Sequence, residues 1–254
     1  MKKSLCLLLL ALSALCLDAN PVTPRKRYRL DFEARTIHKA FPRDWFCQGV
    51  KLDKIEYPGI SFRFFNAKKR EVRPADKRPY YLVFSDKFTP GSFEFYAPDG
   101  AVKLTLLKSG VIVRNLKLTE VPIGKDLALP TDYHVTGPVR NAVISINPDN
   151  TVVFDVGAKG VVETLSVPVT GGKRYRLTVR GERSFRGGKR SSLLVRYYFR
   201  KTADGKAVSS NKEALRIANP AKPLVYEILA PKDAKWFSLW CMWGNFLSYK
   251  LEAL

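Results

Sequence analysis

The chain has 254 residues, of which 44 are lysine or arginine and 23 are aspartate or glutamate, and its formal net charge is +21 at pH 7. This length is enough for two domains of about 100 residues that each bury a core. The charge favours polyanionic surroundings such as acidic or sulfated glycan, anionic lipid or nucleic acid, although simple solubility explains it equally well. No stretch after the amino-terminal region is apolar enough to span a bilayer, which excludes a helical membrane protein.

The first 19 residues have the pattern of a secretory signal peptide. Two lysines follow the initiating methionine, residues 5–17 form an apolar run, and Ala19 offers a small residue for cleavage before Asn20. The run is shorter than the about 20 apolar residues that a membrane helix needs. We expect an exported protein that is secreted, periplasmic or held at the cell surface, with a lipoprotein anchor at Cys16 as the alternative.

Removal of that peptide leaves two cysteines, Cys47 and Cys241. A disulfide between them would persist in an oxidising compartment and would join the two halves of the chain. Two buried free thiols are the alternative.

The mature chain contains an internal duplication. The pentapeptide of residues 26–30 recurs letter for letter in residues 173–177. A constant shift of 133 residues then aligns residues 93–121 with residues 226–254 without a gap. Matching segments in the same order indicate two copies of one structural unit.

The same shift of 133 residues places residues 62–65 on residues 195–198. The duplication predicts four parts in the chain: a signal peptide in residues 1–19, a first β-sandwich repeat in residues 20–121, a linker in residues 122–140 and a second repeat in residues 141–254.

The repeats have the pattern of β-structure. Apolar and polar residues alternate in residues 174–179 and again in residues 195–200, which is the period of a strand with one wet face. Turn residues follow in residues 203–206. No segment carries a helical stripe longer than two turns. We therefore predict an all-β protein of two tandem antiparallel β-sandwiches.

The two repeats begin differently. Residues 141–172 precede the pentapeptide of the second repeat and predict two or three additional strands, whereas the first repeat has only residues 20–25 there. The first repeat therefore exposes a sheet edge, which we expect the linker to cover. Its insertion between Thr36 and Gly59 is rich in aromatic residues and either binds a ligand or packs against the second repeat.

Strand phase in the second repeat defines a candidate ligand face. The alignment places residues 237 and 239 at core positions, so the tryptophans that flank them should share the opposite, solvent-facing side. Two arginines and a tyrosine on another strand point the same way. Flat aromatic rings suit the C–H faces of sugars, and arginine binds carboxylate or sulfate through paired hydrogen bonds. The predicted ligand-binding residues are Trp236, Trp240, Arg196, Tyr198 and Arg200. Packing of the tryptophans against the first repeat is the alternative.

A second basic segment, residues 180–190, combines arginines with turn residues. It either binds a polyanion or forms a solvated loop. Its candidate binding residues are Arg183, Arg186, Lys189 and Arg190. Nucleic acid is not an expected partner, because no nucleic-acid-binding motif accompanies the charge.

Four successive segments of the second repeat carry a family resemblance. They are residues 167–177, residues 194–199 leading to the turn at residues 204–205, residues 226–231 and residues 246–254. With these segments each repeat resembles a bacterial carbohydrate-binding module of the jelly-roll kind found in families 4 and 9, within the galactose-binding-like group. The resemblance spans nearly the whole mature chain and implies binding of carbohydrate.

The resemblance also bears on metal binding. The last strand of such modules often carries an acidic residue that helps to hold a structural calcium ion. Residues 113–116 and residues 247–250 occupy the corresponding places and contain no carboxylate, so we expect no metal there.

Catalytic signatures are missing from the sequence. His38 and His134 are its only histidines, and neither lies at a metal-ligand spacing from cysteine or carboxylate. No nucleophile elbow and no phosphate-binding glycine loop occur. We expect a non-enzymatic protein without a cofactor that binds carbohydrate, with acidic or sulfated glycan as the favoured class. The alternatives are a structural or adhesion module that docks another protein and, less favoured, a glycan-cleaving enzyme with a carboxylate pair.

Overall fold

A computed structural model describes most of the chain in separate segments. They are residues 19–37, 44–46, 58–72, 80–83, 85–129, 135–136, 139–140, 143–146, 152–155, 161–186, 189–203, 205–211, 215–217, 219, 222–242 and 244–254. Most of the predicted signal peptide, both histidines and Cys47 lie outside them. Within these segments, no helix has the length and apolar character needed to cross a membrane.

Strands account for the regular structure of the described residues. The first nine are β1 (Ala19–Pro21), β2 (Arg27–Thr36), β3 (Asp44–Phe46), β4 (Gly59–Phe65), β5 (Glu71–Val72), β6 (Tyr80–Leu82), β7 (Thr89–Tyr96), β8 (Lys103–Ser109) and β9 (Val111–Val121). The next seven are β10 (Val135–Thr136), β11 (Val139–Arg140), β12 (Val143–Ile146), β13 (Val152–Asp155), β14 (Val161–Glu163), β15 (Val167–Pro168) and β16 (Arg174–Arg186). The last seven are β17 (Lys189–Ser191), β18 (Leu193–Arg200), β19 (Ala207–Ser210), β20 (Leu215–Ile217), β21 (Leu224–Leu229), β22 (Trp236–Met242) and β23 (Gly244–Ala253).

The first sandwich is built from two antiparallel sheets. One has the order β7-β2-β9, and the other has the order β1-β8-β4-β6-β10 with β5 paired to β4. Strand β2 alternates buried and less buried side chains along its length, as the sequence period predicts. Phe62 of one sheet and Phe93 of the other meet with ring centroids 4.2 Å apart, which joins the two sheets in one core.

The second sandwich repeats this plan. Strands β21 and β23 flank β16 in one sheet, and the other has the order β11-β14-β22-β18-β19, with β15 paired to β22 and β20 to β18. Leu177, Val195, Phe237 and Leu239 are fully buried between the sheets. The prediction of an all-β chain with two antiparallel sandwiches is therefore confirmed.

A small third sheet connects the two halves of the chain. Strand β3, from the insertion in the first repeat, pairs with β12, which in turn pairs with β13. Strands β12 and β13 lie within the predicted leading strands of the second repeat. The insertion thus shares backbone hydrogen bonds with the second repeat.

The predicted linker, residues 122–140, contributes to both sandwiches. Ala128 and Leu129 are buried in the second core, and the Leu127 amide donates to the Leu251 carbonyl at 2.9 Å. Strand β10 extends the first sandwich at β6. At the edge beside β8, where the first repeat lacks leading strands, the strand that pairs with residues 103–105 is β1 and not the linker that was expected there.

Matching hydrogen bonds relate the turns of the two repeats. The Thr23 amide donates to the Tyr28 hydroxyl at 2.8 Å, and the Thr170 amide donates to the Tyr175 hydroxyl at 2.6 Å. The two pentapeptides, each of which contains one of these tyrosines, therefore occupy equivalent places in the two sandwiches.

The strand register corrects one part of the sequence alignment. Phe62 pairs with Leu106, whereas Tyr197 pairs with Leu239. Since Leu106 and Leu239 correspond, Phe62 corresponds to Tyr197, and the alignment of residues 62–65 with residues 195–198 was wrong by two positions. A strand that alternates aromatic and basic residues resembles itself when moved by two, and such a move leaves every side chain on the same face.

Candidate functional site

The predicted ligand face lies on the outer side of the sheet that contains β18 and β22. Register pairs Trp236 with Arg200 and Trp240 with Arg196, so these four side chains share one face. Phe237 is fully buried in the core on the other face. The predicted alternation is correct, but the two ends of the outer face differ in their exposure.

Trp236 lies at the buried end of this face. Its exposed fraction is 0%, and its indole Nε1 donates to Oδ2 of Asp99, in the first sandwich, at 2.6 Å. The Arg25 guanidinium lies 5.8 Å from the centre of the indole ring, within the range of a cation–π contact. The prediction that Trp236 faces solvent was wrong, because the first sandwich covers it. Trp236 instead follows the alternative prediction, in which the tryptophan packs against the first repeat.

Arg25 connects the first sandwich to the backbone of the second. Its Nη2 donates to the carbonyl oxygens of Val169 at 3.0 Å and Lys235 at 3.2 Å. Its φ of 64° places it in the left-handed region, which disfavours residues other than glycine. The position therefore combines a backbone cost with a contact between the sandwiches.

Arg200 also departs from the prediction that it faces solvent. It is 9% exposed, and its Nη2 donates to Oε1 of Glu163 at 3.0 Å. Ser238, which is fully buried, donates to the same Glu163 oxygen at 3.0 Å. Glu163 comes from β14, one of the leading strands of the second repeat. Because the leading strand places a carboxylate beside them, Arg200 and Ser238 are enclosed in a polar network.

Trp240 and Tyr198 form the partly exposed end of the face. Their ring centroids lie 5.7 Å apart at an interplanar angle of 49°. Arg196 is exposed and lies directly across from Trp240 in the strand register. The Arg200 guanidinium lies 5.3 Å from the centre of the Tyr198 ring, within the range of a cation–π contact. We call Trp240, Tyr198 and Arg196 the aromatic patch.

Burial raises the pKa of Tyr198, while a hydrogen bond with Arg196 acts in the opposite direction. The phenol therefore stays protonated at neutral pH and keeps a hydroxyl hydrogen for donation. Arg200 is neutralised by Glu163, so Arg196 is the exposed cation of the patch.

The basic segment of the second repeat lies on a β-hairpin. Strands β16 and β17 pair Phe185 with Arg190 and Arg186 with Lys189. The side chains of the four candidate residues there, including Arg183, lie outside the described residues. Their role in binding a polyanion stays a prediction.

Cys241 is buried and is not part of a disulfide. Burial raises the pKa of its thiol, and the nearby charge of Glu163 acts in the same direction. Among the residues that the structure describes, no group of three or more His, Cys, Asp or Glu side chains is arranged to hold a metal ion.

Sequence reasoning missed three residues that shape the site: Arg25, Asp99 and Glu163. Each acts through a partner that is distant in the chain. Arg25 nevertheless carried a signal, since the duplication places it at the position of Gly172 and a long cation in a glycine position calls for a reason.

Comparison with known proteins yields structural neighbours only. No protein-family model and no curated protein matches the chain. The tandem of two CBM22 domains from Paenibacillus barcinonensis Xyn10C matches with a TM-score of 0.34 and 8% identity, over 92% of this chain and 82% of that one. The tandem CBM51 modules of a family 98 glycoside hydrolase from Streptococcus pneumoniae give a TM-score of 0.23 and 10% identity, over 92% of this chain and 78% of that one.

An isomalto-dextranase from Arthrobacter globiformis, complexed with panose, gives a TM-score of 0.33 and 13% identity, over 92% of this chain and 35% of that one. All three TM-scores lie below 0.5, so the description of this chain depends on its own residues.

Proposed function

We propose that this protein is an exported, non-catalytic carbohydrate-binding protein, and that the aromatic patch of its second sandwich binds an anionic sugar. The observation that carries the proposal is the pair of partly exposed rings, Trp240 and Tyr198, 5.7 Å apart beside the exposed Arg196. A contiguous exposed apolar patch that is rimmed by polar residues is a common mark of an interaction site.

The rings suit a sugar because each presents an apolar body with a polar tip. The indole and phenol rings offer surface for the C–H face of a pyranose, and the Tyr198 hydroxyl and the indole N–H supply hydrogen-bond partners for its hydroxyl groups. The angle of 49° between the rings means that they contact different sides of one ligand or two successive sugar units. A few polar groups among apolar surface are typical of small-molecule sites.

Charge favours an acidic or sulfated sugar. Arg196 is exposed, and its planar guanidinium matches carboxylate and sulfate geometry. The formal net charge of +21 adds a long-range attraction for polyanionic glycans that salt weakens. The exposed guanidinium and the net positive charge both favour association with an anionic ligand, and neither requires catalysis.

The environment of Glu163 supports binding rather than hydrolysis. Glycosidases position two carboxyl groups on either side of the scissile bond. The Glu163 carboxylate, which lies across from Trp240 in the register, is held by Arg200 and Ser238. A carboxylate held in this way is not positioned as an acid or base for a bound sugar.

A glycan array at two salt concentrations tests the proposal, with the wild type, Trp240→Ala and the matched control Leu107→Ala. Leu107 is the equivalent position in the first repeat. We expect Trp240→Ala to lose tenfold or more in affinity, about 1.4 kcal/mol or above, because it removes a stacking surface. Leu107→Ala should bind as the wild type does. Arg196→Gln should reduce the salt dependence of binding.

Absence of binding to any glycan, or equal binding by Trp240→Ala and the wild type, would refute the proposal.

A structural or adhesion module is the second candidate, and a different surface favours it. Strand β21 lies at the edge of its sheet and exposes Val225, Tyr226 and Leu229, the last by 62%. An exposed apolar edge strand can pair with a strand of another protein. A Leu229→Lys variant should lose such docking in a surface-adhesion assay and keep its sugar binding. Equal adhesion of this variant and the wild type would argue against the second candidate.

A further inference from the structure

The contact between the two sandwiches uses different surfaces on its two sides. The first sandwich contributes two turns, with Arg25 on one and Asp99 on the other. The second sandwich contributes its outer sheet face at Trp236 and the carbonyl groups beside it. A contact of this heterologous kind generates open-ended chains of molecules when its two surfaces are free on every copy.

The duplication means that each repeat carries both surfaces. The first sandwich has its own copy of the face, and the second sandwich has its own copy of the two turns. We call these second copies of the face and of the two turns the unused surfaces. Both are exposed, and at each of them other residues stand in place of those that make the contact. Lys103 stands in place of Trp236, Gly172 in place of Arg25, and Lys232 in place of Asp99.

The backbone of the contact is retained at the unused surfaces. Gly172 has a φ of 78°, close to the 64° of Arg25. A Cβ at Gly172 would meet no atom within 4 Å, so an arginine has room there. On the receiving side, the Val22 amide donates to the Val102 carbonyl at 3.1 Å, and the Val169 amide donates to the Lys235 carbonyl at 2.8 Å. The carbonyl groups that would accept from an arginine are therefore in place.

The side chains at the unused surfaces oppose a contact. If the two turns of the second sandwich of one molecule approached the first-sandwich face of another, Lys232 would lie against Lys103. The two positive charges would repel each other. The neighbouring Asp233 does not compensate, because it pairs with Lys201 at 3.0 Å. Glycine at position 172 also removes the donor that reaches the carbonyl groups.

We propose that Lys103, Gly172 and Lys232 prevent this protein from joining head to tail with further copies of itself. Apart from these three residues, the two surfaces on which they lie fit one another. Repulsion built against an unwanted partner is a common source of specificity, and like charges across an interface are costly. The Arg25–Asp99–Trp236 contact is thereby restricted to one use within each chain.

Restoring the contact residues tests this inference. One variant, Lys103→Trp, restores the receiving face. A second variant, Gly172→Arg with Lys232→Asp, restores the two turns. Each variant alone should sediment as the wild type does at about 100 μM, whereas an equimolar mixture at that concentration should form a 1:1 complex with a Kd below about 100 μM. A chain carrying all three changes should form oligomers that grow with concentration.

Lys117→Trp is the matched control, because it adds a tryptophan to the exposed face of the other sheet of the first sandwich. It should not associate with the second variant. Circular dichroism verifies that each variant is folded. If the Gly172→Arg change prevents the second variant from folding, a variant with Lys232→Asp alone takes its place. Monomers in every mixture, or equal association of the Lys117→Trp control, would overturn the proposal.

Discussion

Trp236→Phe is the sharpest test of the contact between the sandwiches. The substitution keeps an aromatic ring at a fully buried position but removes the N–H that donates to Asp99 at 2.6 Å. A hydrogen bond to a charged group contributes about 1.5–3 kcal/mol. The Asp99 side chain is 36% exposed, so water replaces part of that bond and the loss falls near the lower limit. The smaller ring adds a cavity cost. We expect a total loss of about 2–3 kcal/mol in the free energy of unfolding.

Urea unfolding followed by far-UV circular dichroism measures this loss, and a double-mutant cycle with Asp99→Ala isolates the pair. The coupling energy should be about 1–1.5 kcal/mol, because the two side chains are in direct contact. Trp240→Phe is the control, since it changes a partly exposed indole, and it should cost less than about 1 kcal/mol. A coupling energy near zero would refute the assignment of this hydrogen bond as a stabilising contact.

Three further predictions concern the second sandwich and the linker. A Cβ at Gly171 would collide with the facing backbone turn, so Gly171→Ala should destabilise the protein by about 2 kcal/mol in urea unfolding, whereas Gly124→Ala, with open space around it, should change stability by less than about 1 kcal/mol. Equal effects of the two would contradict this reasoning. Glu163→Gln leaves the buried Arg200 charge without its counter-ion and should cost about 3 kcal/mol in the same assay; a wild-type unfolding curve would show that the pair is not needed. Burial raises the thiol pKa of Cys241, so less thiolate is present at neutral pH, and the thiol should react with a disulfide reagent only in denaturant. The assay uses a chain without residues 1–19 in which Cys47 is replaced by serine, so that Cys241 is its one thiol. Rapid reaction of this folded variant would contradict that burial.

Much of the fold follows from local pattern. Alternation in β2 and β16 reports which side chains face the core, because a strand has a fixed period of two. The exact pentapeptide repeat relates the two sandwiches, and the matching hydrogen bonds of Thr23 and Thr170 agree with it. The one alignment error, at residues 62–65, did not change which side chains are predicted to face the core.

The candidate site was less accessible to the same reasoning. Trp240 and Tyr198 are partly exposed, as their phase suggests, but Trp236 and Arg200 have the same phase and are buried. The residues that cover them, Asp99 and Glu163, are 137 and 37 positions away in the chain. Period alone does not show which distant segment lies above a given strand.

By itself, the sequence determined that the chain is β, that it is duplicated, and which side of each strand faces its own core. The tertiary structure alone decided which outward positions meet water. Trp236 and Lys103 occupy equivalent outward positions, yet one is enclosed and the other exposed. The physical reason is that strand period is a local property of the backbone, whereas solvent exposure depends on the packing of a second sandwich against the face.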